Sequence, residues 1–167
     1  MYMHLSSLSE NQNTNLPTLP CLCGSMRRTA RALTQVYEKA LAPSGLTATQ
    51  MTILQVLARV GEATQGRLGE ILAMDSTSLT RTLAVMRRKG WIAERRGTDR
   101  RVRWLSLNTA GKRKLQSAEP IWERVQWQVR RELGDDGWGQ LMGLTQRLTV
   151  AVAKQDRVAQ RRKGRRS

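Results

Sequence analysis

The sequence predicts a mainly helical protein that carries a small β-hairpin near the middle of its 167 residues. Apolar residues recur at spacings of three and four along most of the chain, which is typical of helices that bury one face. Between residues 91 and 107 this period gives way to two alternating runs, as in paired strands. Gly, Pro and short polar residues separate the segments where helices are expected to begin and end.

Residues 1–20 come before the first periodic segment. They are rich in Ser and Asn and show no sustained period, so we expect a disordered N-terminal segment. They contain no Lys or Arg, which does not fit a secretory signal. No apolar run approaches the roughly 18 residues that span a bilayer, so we expect a cytoplasmic protein with no membrane partner.

Residues 21–45 are predicted to form an N-terminal helix and its stop. Pro43, Ser44 and Gly45 end the helix, and its apolar stripe is longer than a small lobe needs for its own core. We therefore expect a dimerisation helix. The stripe contains Leu22, Met26, Ala30, Leu33, Tyr37 and Leu41.

Residues 46–108 are predicted to form a compact lobe, which begins with two helices. Thr47 and Gln50 have the spacing of a capping box, and Gly61 ends the helix that they begin. The three residues after Gly61 fit a very short strand. Thr64 then begins the second helix of the lobe.

A third helix and a basic hairpin complete this lobe. Asp75 or Ser76 caps the helix, and Gly90 ends it. Two strands follow at 91–96 and 102–107, joined by a basic tip. Two helices joined by a short turn and followed by a two-stranded wing form a winged helix-turn-helix, whose second helix can enter the major groove of DNA.

Residues 109–155 are predicted to form the C-terminal dimerisation helices, with Asn108 or Thr109 as the cap. We expect a kink at Pro120 and a break at Gly134–Gly137. The predicted fold class is thus mainly α (α+β winged helix), with the lobe flanked by N- and C-terminal helices that form an α-helical dimerisation layer. Residues 156–167 are expected to be a basic disordered tail.

The net charge points to a polyanionic partner. The chain has 29 Lys and Arg residues against 13 Asp and Glu, a formal net charge of +16. From residue 87 to 103 there are eight basic and two acidic residues, so the charge is concentrated in the last helix and hairpin of the lobe. A basic cluster of this kind favours phosphate binding, and double-stranded DNA is the partner we expect.

From residue 46 to 111 the chain resembles the MarR family of bacterial winged-helix repressors. The family pattern at the wing is Asp-x-Arg, five residues, then Leu-Thr-x-x-Gly. It stands here as Asp99, Arg101, Leu107, Asn108 and Gly111, and only Asn108 departs from it. The resemblance implies a homodimer on a pseudo-palindromic operator, with Asp99 orienting Arg101. It also implies a signal site between the dimer layer and the lobes.

Two groups of residues are the predicted DNA contacts. In the recognition helix they are short hydroxyl side chains and arginines, which suit base edges and phosphates. In the wing they lie at or near the tip. An ordinary polar helix face and a solvated basic hairpin are the alternatives. The predicted contacts are Ser76, Thr77, Ser78, Thr80, Arg81 and Arg88 in the helix, and Asp99, Arg100, Arg101 and Arg103 in the wing.

A cysteine near the start of the first helix is a candidate redox sensor. One branch of the family, the organic-hydroperoxide-sensing repressors, carries a reactive Cys there and a Tyr fourteen residues later. Cys23 and Tyr37 match that spacing, but Arg27 replaces a second Tyr of that branch. A small residue at a dimer interface is the alternative, so the signal is either a small-molecule effector or an oxidant.

The function we expect is sequence-specific regulation of transcription, most simply repression relieved by that signal. A protein that coats nucleic acid without sequence preference is the alternative from another class. Nothing in the sequence indicates an enzyme, a cofactor or a metal site, because the single His lies in the first segment and the two cysteines have no second pair.

DNA binding is therefore expected to depend steeply on salt. If about six phosphates are contacted, a plot of log affinity against log salt concentration has a slope of roughly −5 or steeper. Titration of an operator fragment over several salt concentrations measures the slope. A flat response would contradict the assignment of the basic cluster to phosphate binding.

Overall fold

A computed structural model describes residues 16–99 and 102–164, with side chains through residue 153. Residues 1–15, 100, 101 and 165–167 lie outside the described residues, and so do most of the predicted N-terminal segment and two predicted wing contacts. The described part contains five α-helices, a 3₁₀ turn and three strands. In order these are α1 (Leu22–Leu41), the turn Ala42–Ser44, α2 (Ala48–Val60), β1 (Glu62–Thr64), α3 (Gln65–Leu72), α4 (Ser76–Arg88), β2 (Ile92–Arg96), β3 (Arg103–Leu107) and α5 (Thr109–Gly164).

Local capping fixes where the helices of the lobe begin. The Thr47 hydroxyl accepts from the Gln50 amide at 3.1 Å, and the Gln50 side chain accepts from the Thr47 amide at 3.2 Å, so the predicted capping box is confirmed. The Asp75 carboxylate accepts from the Ser78 amide at 2.9 Å and begins α4. Thr64 caps α3 in the same way.

The predicted short strand is also confirmed, and it makes the sheet three-stranded. The order is β1-β3-β2 and both pairings are antiparallel. Leu105 lies opposite Ala63 on one side and Glu94 on the other. The hairpin of β2 and β3 is the wing, and β1 ties its root to the end of α2.

One hydrophobic core lies beneath the three helices of the lobe and the sheet. The first arm of α5, which is the part before Gly134, closes the core with Leu115 and Ala118. The lobe is therefore not independent of the C-terminal helix. The innermost side chains, all less than 2% exposed, are Leu41, Met51, Ile53, Leu54, Leu57, Leu68, Leu79, Leu83, Met86 and Leu105.

The start of α5 is locked against the exit of α4. The Asn108 side chain accepts from the Gly111 amide at 2.9 Å and donates to the Gly90 carbonyl at 2.8 Å. Asn108 is therefore the cap, and its amide makes a second bond that ties the cap to the helix before the wing. A Cβ on Gly111 would lie 2.1 Å from the carbonyl oxygen of Trp91, so only glycine fits at this position.

A pair of lysines joins the same junction to the turn after α1. Lys89 donates to the Gly45 carbonyl at 3.1 Å, and Lys114 donates to the Ser44 carbonyl. Their ammonium groups lie 4.8 Å and 5.4 Å from the centre of the Trp91 ring, as in cation–π contacts. The end of α4 is therefore attached both to α5 and to the turn that follows α1.

The backbone of α5 leaves helical geometry at one residue, Gly134, whose φ is 68° and ψ 166°. The break predicted for this segment is confirmed. The kink predicted at Pro120 does not take the form of a second break, because Pro120 keeps helical dihedral angles. A proline removes one N–H from a helix, but its fixed φ is compatible with helical backbone.

The prediction of a disordered tail is wrong for residues 156–164, which continue α5 as helix up to Gly164. Between residues 154 and 163 the sequence contains neither Gly nor Pro, so nothing stops a helix that is already formed. The charge of this segment is typical of a disordered tail, but its residues favour a helix.

Large apolar side chains on the terminal helices are exposed in the single chain. Leu22 in α1 is 60% exposed, Trp127 is 58% exposed and Leu144 is 54% exposed. The same helices contribute Leu41, Leu115 and Ala118 to the core, so each carries apolar surface on more than one side. Among the described residues, no helix is both long and apolar enough to cross a membrane.

We expect Gly111→Ala to destabilise the protein by about 3 kcal/mol or more, because the methyl group would meet the Trp91 carbonyl and one of the two backbones would have to shift. Gly66→Ala is the control, since a Cβ there meets nothing within 4 Å. We expect that variant to change stability by less than about 1 kcal/mol. Urea unfolding followed by circular dichroism measures both, and equal stabilities would refute the role of Gly111.

Candidate nucleic-acid interface

The recognition helix α4 has one face in the core and one in solvent. Leu79, Leu83 and Met86 are buried and anchor it. Because these three side chains fix the rotation of the helix, the side chains between them point outward. The predicted contacts on α4 are all exposed, namely Ser76, Thr77, Ser78, Thr80, Arg81 and Arg88.

Thr80 is held in place by its neighbours. Its hydroxyl donates to the Ser76 carbonyl at 2.6 Å and accepts from the Gln65 side-chain amide at 2.7 Å. Gln65, at the start of α3, therefore belongs to this surface, although it is not among the predicted contacts. The signal was not local, since only the packing of α3 against α4 brings residues 65 and 80 together.

The wing places one more predicted contact within the described residues. Arg103 at the start of β3 has a side chain that is 58% exposed. Asp99 is exposed near the tip of the hairpin. Arg100 and Arg101 lie outside the described residues, so the orientation of Arg101 by Asp99 stays a prediction.

The basic cluster is partly neutralised by carboxylates, so the count of basic residues along 87–103 overstates its free charge. Glu94 binds Arg87 at 2.9 Å and also pairs with Arg103. Arg95 donates through Nε to Glu62 at 2.9 Å. Glu62 lies 33 residues before Arg95, and the sheet brings the two together, so a count along residues 87–103 could not find this partner.

The remaining arginines of this surface have no acidic partner among the described residues. Arg81 and Arg88 lie on α4 and Arg96 lies at the end of β2. All three are exposed. An unpaired guanidinium can form bidentate hydrogen bonds to phosphate, so the whole charge of these three side chains is available to a polyanion.

Hydrogen bonds lower the pKa of three carboxylates in this region. The bond from Arg103 lowers the pKa of Glu94, and the charges of Arg87 and Arg103 lower it further. The bond from Arg95 lowers the pKa of Glu62. The bond from the Ser78 amide lowers the pKa of Asp75, which keeps the cap of α4 charged.

The candidate redox residues are not in contact within one chain. Cys23 is exposed, and Arg27 Nη2 lies 3.5 Å from its sulfur. Tyr37 lies fourteen residues further along the same helix, about 21 Å away at the rise of an α-helix. Partial burial raises the pKa of Tyr37. The sulfur therefore has a cationic neighbour, and any hydrogen bond to Tyr37 requires a second chain.

A cleft of about 400 Å³ lies between α1, α2 and α5. The side-chain oxygen of Gln126 is buried at this site and has no hydrogen-bond partner. No charged side chain lines the cleft among the described residues. The lining consists of Ala30, Leu33, Thr34, Tyr37, Leu41, Ala48, Met51, Thr52, Gln55, Trp122 and Gln126.

The ion pairs of Glu94 predict a loss of stability in acid. Its pKa is lowered from the ordinary value of 4.5, so its pairing stabilises the fold above about pH 4.5, and this contribution disappears as the pH falls through the lowered pKa. We expect the free energy of unfolding to fall more between about pH 7 and pH 3.5 in the wild type than in Glu94→Gln. Parallel curves from denaturant titrations would contradict this.

Comparison with known proteins places the chain in a family. The model of the MarR family matches residues 44–102. The transcriptional regulator MosR of M. tuberculosis, solved in complex with DNA, is 36% identical, and the match covers 80% of this chain and 97% of MosR with a TM-score of 0.72.

Two further relatives are more distant. A single-site mutant of MarR from E. coli, solved with operator DNA, has a TM-score of 0.68 over 76% of this chain and 92% of MarR, and at 21% identity it shows the fold alone. YwoH of Bacillus subtilis, an HTH-type transcriptional regulator, is 26% identical over 95 residues, which are 57% of this chain and 69% of YwoH. The capped α4, the wing, the match to the family model and the similarity to MosR together show that this chain belongs to the MarR family of winged helix-turn-helix transcriptional regulators.

Proposed function

We propose that this chain is a sequence-specific DNA-binding regulator that acts as a homodimer and represses transcription until a signal releases it. The exposed polar start of α4 carries this proposal, because its buried side fixes the helix and its solvent side offers hydroxyl and guanidinium donors. These groups suit base edges in the major groove. The complex of MosR with DNA supports the same use of this fold here.

The wing supplies the second part of the proposed interface. Arg96 and Arg103 are exposed on the hairpin, and in the sequence Arg100 and Arg101 come between the two. A hairpin beside the recognition helix can reach the phosphate backbone or the adjacent minor groove. Base contacts from α4 would then choose the sequence, while the wing arginines add affinity.

A second copy would cover the exposed apolar surface of the terminal helices. Side chains such as Leu22, Trp127 and Leu144 are more than half exposed, which is unfavourable for a chain that stays alone. A two-fold dimer would bury them and would present two copies of α4 to one duplex. The operator is then expected to be a pseudo-palindrome.

The cleft between α1, α2 and α5 is the site we propose for a small-molecule signal. Its neutral lining disfavours a charged ligand, since a buried ion needs a partner. The orphan oxygen of Gln126 requires a donor. An uncharged planar molecule with a hydroxyl or amine group fits both conditions. Because the cleft touches α1 and α5, its occupancy would act on the spacing of the two recognition helices.

A protein that coats nucleic acid non-specifically is the alternative, and the net charge favours it. Three arginines of the basic cluster are already paired with carboxylates, which leaves fewer charges for indiscriminate binding. Footprinting separates the two functions. Regulation predicts two protected half-sites about one helical turn apart, whereas coating predicts uniform protection.

We expect Arg81→Ala to weaken operator binding by about tenfold or more, because the side chain lies on the solvent face of α4. Arg124→Ala is the matched control, since it removes the same charge from an exposed position on α5. Electrophoretic mobility shifts on operator DNA measure both. Equal effects of the two variants would mean that α4 does not read the operator.

Oxidation of Cys23 is the alternative signal. A hydroperoxide would accept the attack of the thiolate, lose its O–O bond and leave as an alcohol once protonated, while the sulfur becomes a sulfenic acid. Arg27 would stabilise the thiolate. We then expect peroxide to release the operator from the wild type and not from Cys23→Ser. Release from the variant as well would exclude this thiol as the sensor.

A further inference from the structure

Glu94 is a residue of the wing whose side chain binds one arginine of the recognition helix and one of the neighbouring wing strand. One carboxylate oxygen forms an ion pair with Arg87 on α4, at 2.9 Å from Nη2. The other accepts from Arg103 Nη1 on β3. Since Glu94 itself belongs to β2, its side chain joins that strand to α4 and adds a side-chain link to the paired strand β3.

The two arginines differ in what they can reach. Arg87 is 33% exposed, and its Nε is buried without a partner, so its bond to Glu94 is the one that fixes this guanidinium. Arg103 is 58% exposed and gives Glu94 only one of its five N–H groups. Arg103 can therefore bind phosphate while it is paired with Glu94, whereas Arg87 has a structural role.

Glu62 offers a natural comparison on the same sheet. It pairs with Arg95 through both oxygens, so it also neutralises one of the arginines of the hairpin. Its pair joins β1 to β2 and does not include a residue of α4. The two glutamates thus carry the same charge near the same hairpin, and only Glu94 connects the hairpin to the recognition helix.

We propose that Glu94 is a positioning residue for sequence discrimination, which fixes the wing relative to the recognition helix without touching DNA. This inference rests on the proposed function. When the bridge from Arg87 through Glu94 to Arg103 is intact, the distance between Arg103 and the base-reading face of α4 is fixed. Both can then bind DNA together only on a sequence that suits this distance. When the bridge is broken, the wing finds phosphates independently of what α4 reads, and discrimination falls.

The test compares Glu94→Gln with Glu62→Gln in the full-length protein. Each removes one negative charge, so both are expected to bind a scrambled duplex slightly more tightly than the wild type. We expect the ratio of operator affinity to scrambled-duplex affinity to fall by about tenfold in Glu94→Gln. In Glu62→Gln we expect it to stay within about twofold of the wild type. Fluorescence anisotropy at one fixed salt concentration gives all of these affinities.

Arg87→Gln breaks the same bridge from the other end and changes the charge in the opposite direction. If the link between the wing and α4 causes the loss of discrimination, the ratio of operator to scrambled-duplex affinity also falls in this variant. If the fall in Glu94→Gln came only from its charge, Arg87→Gln would raise the ratio. Circular dichroism checks that each variant is folded, and Arg87→Gln decides the matter if Glu94→Gln does not fold.

Three results would overturn the inference. One is an unchanged ratio in a folded Glu94→Gln, and another is an equal fall in the two glutamate variants. The third is a wild type that binds operator and scrambled duplex equally, which would overturn the proposed function as well.

Discussion

The close approach of α5 to the exit of α4 is the contact on which the lobe depends. Gly111 lies against the Trp91 carbonyl. The Asn108 side chain holds the same segment, because its oxygen caps α5 and its nitrogen donates to the Gly90 carbonyl. Without this approach the first arm of α5 could not close the core with Leu115 and Ala118. The packing of the sheet, the recognition helix and α5 therefore depends on the lack of a side chain at Gly111.

Charge in this protein has two roles that composition alone cannot separate. Some arginines are structural, since carboxylates hold them between elements, as Glu94 holds Arg87. Others, such as Arg81 and Arg88, have no acidic partner among the described residues and remain available to an anion. The high net charge therefore overstates the number of cations that a phosphate backbone would meet. Its useful part is set by which side chains the sheet leaves unpaired.

Local chemistry explains why most of the fold could be predicted from the sequence. The Asp75 carboxylate and the Ser78 amide that it caps lie within four residues of the chain, so the local sequence contains the whole interaction. The short strand after Gly61 was also predictable. Gln65 beside Thr80 and Glu62 beside Arg95 were not, because their partners lie 15 and 33 residues away and meet only after packing. The tail could not be predicted from its charge pattern, which is typical of disorder, because helix propensity continues α5 through residues 156–164.

The lysines around Trp91 have a mechanical consequence. Lys89 closes α4, Lys114 lies near the start of α5, and both ammonium groups reach carbonyls of the turn that α1 runs into. The indole ring between them is almost fully buried and cannot swing aside. A displacement of α1 must therefore break these contacts or drag the end of the recognition helix with it. The turn after α1 therefore transmits a movement of α1 to the recognition helix, and it limits how far the lobe can tilt on its own.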